Sequence, residues 1–253
     1  MRGVFVGVIM YADDLLLLSA SVDGLQRMLN CCSELSAKAL INFNCKKITC
    51  VIIGPASKCV VKDMKLGSDS ISWSNSLKYL GVCFSVSKKL FVDVSTIKQN
   101  VFASCNCILA QAKCMNDLAK LKLLESYRLP ILLYATAAMK LTNEQLCELN
   151  AAWNSVYRRI FGFNKWESVR QFIGGLGRLD FNHIRMHQRL KFCKTSLTCG
   201  NHSFENIIKA YYFSDDFRKL CFDSGISNVN GINFNNLPFG YLRNCVHQIF
   251  SQV

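Results

Sequence analysis

The sequence predicts an α+β protein, short strands first and helices after. Three observations carry this. Apolar runs of strand length, split by turn-forming pairs, fill the first 86 residues; from Val94 to Phe161 the apolar positions mostly follow a helical period; and from Val94 onward no glycine occurs until Gly162. Strands that bury one face need a cover, so residues 1–86 read as a layer of small antiparallel strands with one helix packed on it.

The first element is a predicted β-hairpin. Val4 to Met10 and Leu15 to Leu18 are apolar runs, and the acidic pair Asp13-Asp14 interrupts them at a turn, so the hairpin is expected to be buried with both charges at its tip. Aspartates so placed need a partner. A divalent cation fits, because hard Mg²⁺ takes carboxylate oxygens and leaves positions open for substrate phosphates; the alternative is an acidic turn that merely faces water. Ser21 to Asp23 then offer N-caps, and Leu25, Met28, Leu29, Cys32 and Leu35 recur at helical spacing, which predicts an amphipathic helix packed on the hairpin. Apolar runs at Ile48 to Ile53, Val60 to Met64, Ile71 to Trp73 and Tyr79 to Phe84 read as small strands separated by Gly54-Pro55, Gly67-Ser68 and Ser74-Asn75.

Helices follow. One is predicted from about Val94 to Met115 and a second from about Asp117 to Tyr127, with Pro130 breaking or restarting the pattern. Thr142 with Gln145 three residues later fits a capping box, opening a helix whose core stripe is Leu146, Leu149, Trp153, Tyr157 and Ile160. Arg158 and Arg159 end it, either as cations favourably placed at a helix C-terminus or as contacts to nucleic acid. The run Gly174-Gly175-Leu176-Gly177 lacks a following Gly-Lys-Ser/Thr and reads as a linker turn, not a phosphate loop. Another helix is expected from Asn182 to about Thr195, placing Arg185 and Arg189 one turn apart, while Asn228 to Asn236 reads as loop.

Composition narrows the function classes. Half the 253 residues are hydrophobic, which excludes a disordered chain. The net charge is +13, and residues 61–200 hold 20 basic against 9 acidic side chains, so +11 of it lies there. An anionic partner follows, nucleic acid first, with a merely solvated basic surface as the alternative. The N-terminal run is a poor signal peptide, so an intracellular, non-secreted protein of cytoplasm and nucleus is expected, with its 14 cysteines as free thiols. Most of these, such as Cys31, Cys105 and Cys107, sit among apolar neighbours and read as small core residues. Cys193, Cys199 and His202 come nearest to a metal cluster but lack a fourth ligand at zinc-finger spacing. No membrane helix is expected, since Ile131 to Ala138 is too short to span and two Asp interrupt the longer apolar stretch.

An aromatic, any residue and two Asp would arise by chance in a chain this long at roughly 4 %, so the order of later features matters more than the tetrapeptide. Met10-Tyr11-Ala12-Asp13-Asp14-Leu15 is followed by a helix, by Leu40-Ile41-Asn42-Phe43-Asn44-Cys45-Lys46-Lys47, and by Lys78-Tyr79-Leu80-Gly81-Val82. Together these resemble the C-terminal part of a reverse transcriptase palm. Leu129-Pro130-Ile131-Leu132-Leu133-Tyr134, with Arg159-Ile160-Phe161-Gly162, is similar to the thumb and following region of non-LTR (LINE-type) retrotransposon polymerases. The resemblance spans about residues 1–195. It implies a partial palm over 1–86, a helical thumb and connection over 87–175, and a poorly defined C-terminal helical region over 176–253.

The resemblance also implies a chemistry: RNA-directed DNA synthesis by two-metal nucleotidyl transfer, with Mg²⁺ (Mn²⁺ as the alternative) as cofactor and an RNA template with a DNA primer as partners. In that scheme Asp13 is the principal metal ligand and Asp14 supports it, while Tyr11 stands near the primer terminus. Lys47, with Lys46 as the alternative, neutralises or protonates the leaving pyrophosphate. Tyr79, Leu80 and Gly81 form the primer grip, the glycine allowing close backbone approach, and Lys78, Arg158 and Arg159 contact the nucleic acid. Without the family, Lys47 reads as a solvated loop lysine, and Tyr79 and Leu80 as strand core. The family's upstream metal-binding Asp and its fingers have no counterpart in these residues. The expectation is therefore weak metal binding and little or no polymerase activity for this polypeptide alone, a truncated copy or partial gene model, or else a nucleic-acid-binding remnant without chemistry.

Overall fold

Tyr11 and Asp14 face each other across a two-residue turn, Ala12-Asp13, that joins β1 (Val8–Tyr11) to β2 (Asp14–Leu17) in an antiparallel hairpin. Ala12 adopts φ 52°, the positive value a tight hairpin turn demands. The computed structural model describes residues 7–86, 88–134, 136–201, 204–207, 215–226, 234 and 237–252. The chain divides into two compact units, Met1–Asp93 and Val94–Val253. Both strands and helices are present; among the described residues the small antiparallel sheets lie in the first unit and helices dominate the second, an α+β composition.

In the first unit, Ser21 caps α1 (Val22–Ala39) by accepting from Gly24 N–H, and the helix ends at Leu40 in a left-handed conformation. Its buried stripe packs mainly on a second hairpin, β3 (Met64–Leu66) and β4 (Asp69–Ile71), turned at Gly67-Ser68. Leu29, Cys50, Met64, Leu66 and Ile71 form the core of this unit, with Leu25, Cys32 and Leu17 against it. Burying Leu29 alone contributes about 1.5–3 kcal/mol. The helix was expected on the first hairpin, and only Leu17 of that hairpin reaches the core. Gln26 explains the preference, since its side chain both donates to Lys65 C=O and accepts from Lys65 N–H, pinning α1 to β3. Leu35, placed in the stripe by its spacing, is 62 % exposed because β3 and β4 are too short to reach it.

None of the four expected strands after the helix forms as read. Ile48 to Ile53 makes only an isolated parallel bridge between Cys50 and Trp73, of Val60 to Met64 and Ile71 to Trp73 only Met64 and Ile71 enter strands, and Tyr79 to Phe84 is split by a turn at Leu80-Gly81. A strand needs a neighbour, and fully exposed Val60 has none to pack on. The third sheet is a meander of β5 (Ser76–Tyr79), β6 (Val82–Val86) and β7 (Leu90–Val92). Register puts Leu77, Tyr79, Val82, Phe84, Val86, Leu90 and Val92 on one face and Ser76, Lys78, Cys83, Ser85 and Phe91 on the other, a mostly polar one.

In the second unit α2 (Val94–Gln111), α3 (Asp117–Leu133) and α4 (Asn143–Phe161) pack on one another around Val101, Leu121, Leu124, Leu149, Trp153 and Tyr157. The Trp153 and Tyr157 rings meet edge to face at 5.8 Å. The capping box at Thr142 and Gln145 forms as expected. α2 stops at Gln111, short of Met115, because Asn116 must be extended to accept from Ala119 N–H and start α3. Pro130 lies inside α3 and does not break it. The carbonyl that loses its donor is that of Ser126, an exposed residue, and Pro130 lies within one turn of the helix end.

α5 (Arg170–Gly175) is short, and the glycine run closes it in a turn with Gly177 at φ 65°. α6 (Phe181–Leu197) then packs on α4 and, further along the chain, on α7 (Asp215–Asp223) and α8 (Phe239–Gln252). Buried Arg185 of α6 donates through its guanidinium to the carbonyls of Thr136 and Met139, tying down the α3–α4 connection. No described helix is long and apolar enough to cross a membrane. Among the cysteines expected in the core, Cys105 is buried, whereas Cys31 and Cys107 are exposed because each turns away from its helix's packed face.

Candidate functional site

The residues singled out by sequence fall on three turns of the first unit and one helix end of the second. Asp13 occupies the second turn position of the first hairpin and Asp14 the first position of β2. Both are exposed, and among the described residues neither side chain makes a hydrogen bond or ion pair. The hairpin that carries them is not the buried element its composition suggests: Met10 is 73 % and Tyr11 66 % exposed. The physical reason is its register. Val8, Met10, Leu15 and Leu17 share one face, yet only Leu17 finds the core, and the opposite face shows Ile9 and Tyr11 to solvent. Direct cross-strand pairing sets the Tyr11 ring and the Asp14 carboxylate on the same face.

Lys46 and Lys47 lie in a single 3₁₀ turn, Cys45–Lys47, fixed by Asn44, whose side chain accepts from Lys46 N–H at 3.2 Å. Both lysines are exposed, so Lys46 and Lys47 remain equivalent candidates. Neighbouring Cys45 has its thiol pushed above its ordinary value, first by a hydrogen bond with Asp69, then by desolvation and that carboxylate's charge. Cys45 is thereby kept a neutral thiol beside the lysines.

The Tyr79-Leu80-Gly81 segment is a tight hairpin turn, with Tyr79 opposite Val82 and positive φ at both Leu80 (46°) and Gly81 (78°). That is the geometry of a type I′ turn, which glycine takes freely and leucine only under strain of about 1–2 kcal/mol. A bulky residue held there is an outlier of the kind that clusters at functional turns. The turn does not gather all four candidates. Lys78 is exposed on the polar face, while Tyr79 lies on the apolar face with its hydroxyl buried and unpartnered among the described residues. A polymer lying on this turn meets Leu80, Gly81 and the Lys78 side, not the Tyr79 hydroxyl.

At the end of α4, Arg158 donates from Nε to the Glu167 carbonyl at 2.9 Å and so anchors the following loop. Arg159 is exposed. Arg158 is thus engaged within the fold, while Arg159 is open to solvent. Of the zinc candidates, Cys193 is buried with its thiol pushed up to about 11 by desolvation, Cys199 donates to the Ser196 carbonyl, and His202 lies outside the described residues. Among the described residues no three His, Cys, Asp or Glu side chains gather as a metal-ion set.

Sequence reasoning missed the histidines. Asp180 caps α6, its carboxylate accepting from His183 N–H at 3.0 Å and lying 2.6 Å from His183 Nδ1. Burial pushes Asp180 up, but the hydrogen bonds and charge of His183, helped by Arg170, outweigh it and hold the carboxyl below its ordinary value. His187, one turn on, is held below its ordinary value by burial and then by Arg243, Lys191 and His247. The spacing of His183 and His187 was visible in the sequence; their partners on α8 were not. Comparison with protein-family models, with curated proteins and with solved structures gave no match.

Proposed function

We propose that this chain is part of an RNA-directed DNA polymerase of the non-LTR, LINE-type class, a nucleotidyltransferase that extends a primer 3′-hydroxyl along an RNA template. The observation that carries the reading is the succession Tyr11-Ala12-Asp13-Asp14, Asn44-Cys45-Lys46-Lys47 and Lys78-Tyr79-Leu80-Gly81, each centred on a tight turn of one compact unit. Asp13 and Asp14 fit Mg²⁺, or Mn²⁺ in its place, as two adjacent carboxylates uncommitted to other described side chains, a donor set that the ion completes with water and substrate phosphate. When bound there, the metal supplies charge stabilisation to the phosphate undergoing transfer.

The chain's own residues do the rest. Tyr11, beside Asp14, offers an exposed ring to the primer terminus. Lys47 or Lys46 neutralises the leaving pyrophosphate. The Leu80-Gly81 turn and Lys78 hold the primer backbone; Arg159, exposed on the second unit, is a phosphate contact in its own right.

A second reading, a nucleic-acid-binding protein without chemistry, draws on the absence of a third acidic side chain beside Asp13 and Asp14 among the described residues. Primer extension on an RNA template separates the two. Under the polymerase reading, incorporation is Mg²⁺-dependent and Asp13→Ala lowers it about a hundredfold, equivalent to about 2.7 kcal/mol at the barrier. Because this polypeptide alone is expected to extend weakly at most, the second reading is selected by salt-sensitive hybrid binding with no incorporation and with Mn²⁺ binding, read by electron paramagnetic resonance, that Asp13→Ala leaves unchanged.

A further inference from the structure

α6 and α8 pack along each other, and neither contains an Asp or Glu, whereas together they carry five Lys or Arg and three His. Their facing stripes are set by helical spacing. His187, Lys191 and Lys194 stand at i, i+4 and i+7 on α6; Phe239, Arg243 and His247 stand at i, i+4 and i+8 on α8. Contacts along the seam run in opposite order on the two helices. His183 meets Phe250 at 4.9 Å at one end, Arg243 and His247 act on His187 in the middle, and Lys194 and Lys191 lie 4.7 and 5.9 Å from the Phe239 ring at the other. Lys191 and Arg243 are exposed, and Phe239 is 43 % exposed. Asp180, the N-cap of α6, offsets charge at the His183 end, whereas toward Phe239 Lys191 and Arg243 stand with no acid on either helix.

We infer that this seam binds single-stranded nucleic acid, Lys191 and Arg243 contacting its phosphates and Phe239 stacking on a base, while half-buried Lys194 donates to the Leu237 carbonyl and braces the Phe239 end of the seam. From His187 to Lys194 the strip runs about 10 Å at 1.5 Å per residue. So short a cationic strip ending in one aromatic suits a strand whose bases are free to stack, whereas a duplex has its bases already stacked. Charge complementarity selects the phosphate backbone, and no sequence preference is built in. The inference goes beyond the polymerase reading and does not depend on Asp13.

The test uses the full chain and a labelled oligothymidylate of about 20 nucleotides, long enough to cover one such site. Affinity is read by fluorescence anisotropy across a salt series. Lys191→Glu with Arg243→Glu is expected to weaken binding at least tenfold near 0.1 M salt and to flatten the log–log salt slope by about 1.4, because two fewer phosphates of a single strand are then neutralised. Phe239→Ala is expected to weaken single-strand binding about fivefold or more and to leave binding of an equal-length duplex unchanged. Lys191→Gln with Arg243→Gln, milder and at exposed positions, repeats the measurement should charge reversal alter the circular dichroism spectrum. Unchanged affinity and slope in the Gln variant overturn the inference, as does tighter binding to anionic phospholipid vesicles than to the oligonucleotide. An Asp13→Ala chain that no longer extends primers yet binds the strand normally leaves the seam standing; a seam variant with unaltered binding and intact extension overturns the seam alone.

Discussion

Asp180 shows how much one side chain can carry. It caps α6 and holds His183, and its carboxyl lies below the ordinary aspartate value, so its stabilising contribution is complete above the unfolded value and is lost as pH falls through the folded one. Asp180→Ala is expected to cost about 0.5–2 kcal/mol near neutral pH, and urea titrations should show the gap to the unaltered protein closing as the medium becomes acid below the ordinary aspartate range. A gap independent of pH would remove the electrostatic part of this account. At this scale the sequence told identities better than roles. Asp13 and Asp14 were legible as a turn pair because apolar runs frame them, and Thr142 with Gln145 as a cap because the motif is local. Arg158 and Arg185 were not, because each bonds to carbonyls, Glu167 in one case and Thr136 and Met139 in the other, and a carbonyl has no signature in the sequence.

Among the elements, the β5–β6 hairpin is the most informative, because it keeps leucine where its turn favours asparagine or glycine. Leu80→Asn should relieve the positive-φ strain and raise stability by about 0.5–1 kcal/mol, read as a higher urea midpoint with unchanged slope. If the turn grips primer, the same substitution lowers the extension rate while it stabilises the fold; stability and extension rising together would count against a grip. Helix bounds were legible where period and cap are both local: α4 and α6 stand within about two residues of expectation, whereas α2 stops four residues short, α3 runs six residues past Tyr127, and α5, α7 and α8 were not read individually from the sequence. Short strands were not legible in this way. Ile48 to Ile53 and Val60 to Met64 have strand composition, but a strand exists only where another lies beside it, and Cys50 opposite Trp73 is all that those runs secure. Pro130 reads as a breaker in isolation, yet α3 continues through it to Leu133 with one backbone donor fewer.

The whole chain resolves into two units, each with its own core, one gathered around Leu29 and Met64 and the other around Trp153 and Tyr157. A polypeptide of residues 94–253 alone should therefore fold, giving a helical circular dichroism spectrum and a single cooperative urea transition. A gradual, featureless loss of signal would show that the helices lean on the first unit. The change from strands to helices near residue 90 was legible from the glycine gap and the change of period, whereas the mutual packing of α4, α6 and α8 rests on contacts between distant segments. The basic excess was legible by counting, but its concentration along the α6–α8 seam depends on which helix faces meet. One feature of the first unit bears on handling the protein. β1 and β2 pair only with each other among the described residues, leaving outward backbone amides and carbonyls along a ribbon with apolar side chains on show. Such a ribbon is a template for a neighbouring copy, so concentrated solutions should self-associate there, and a lysine in place of Ile9 should keep them clear.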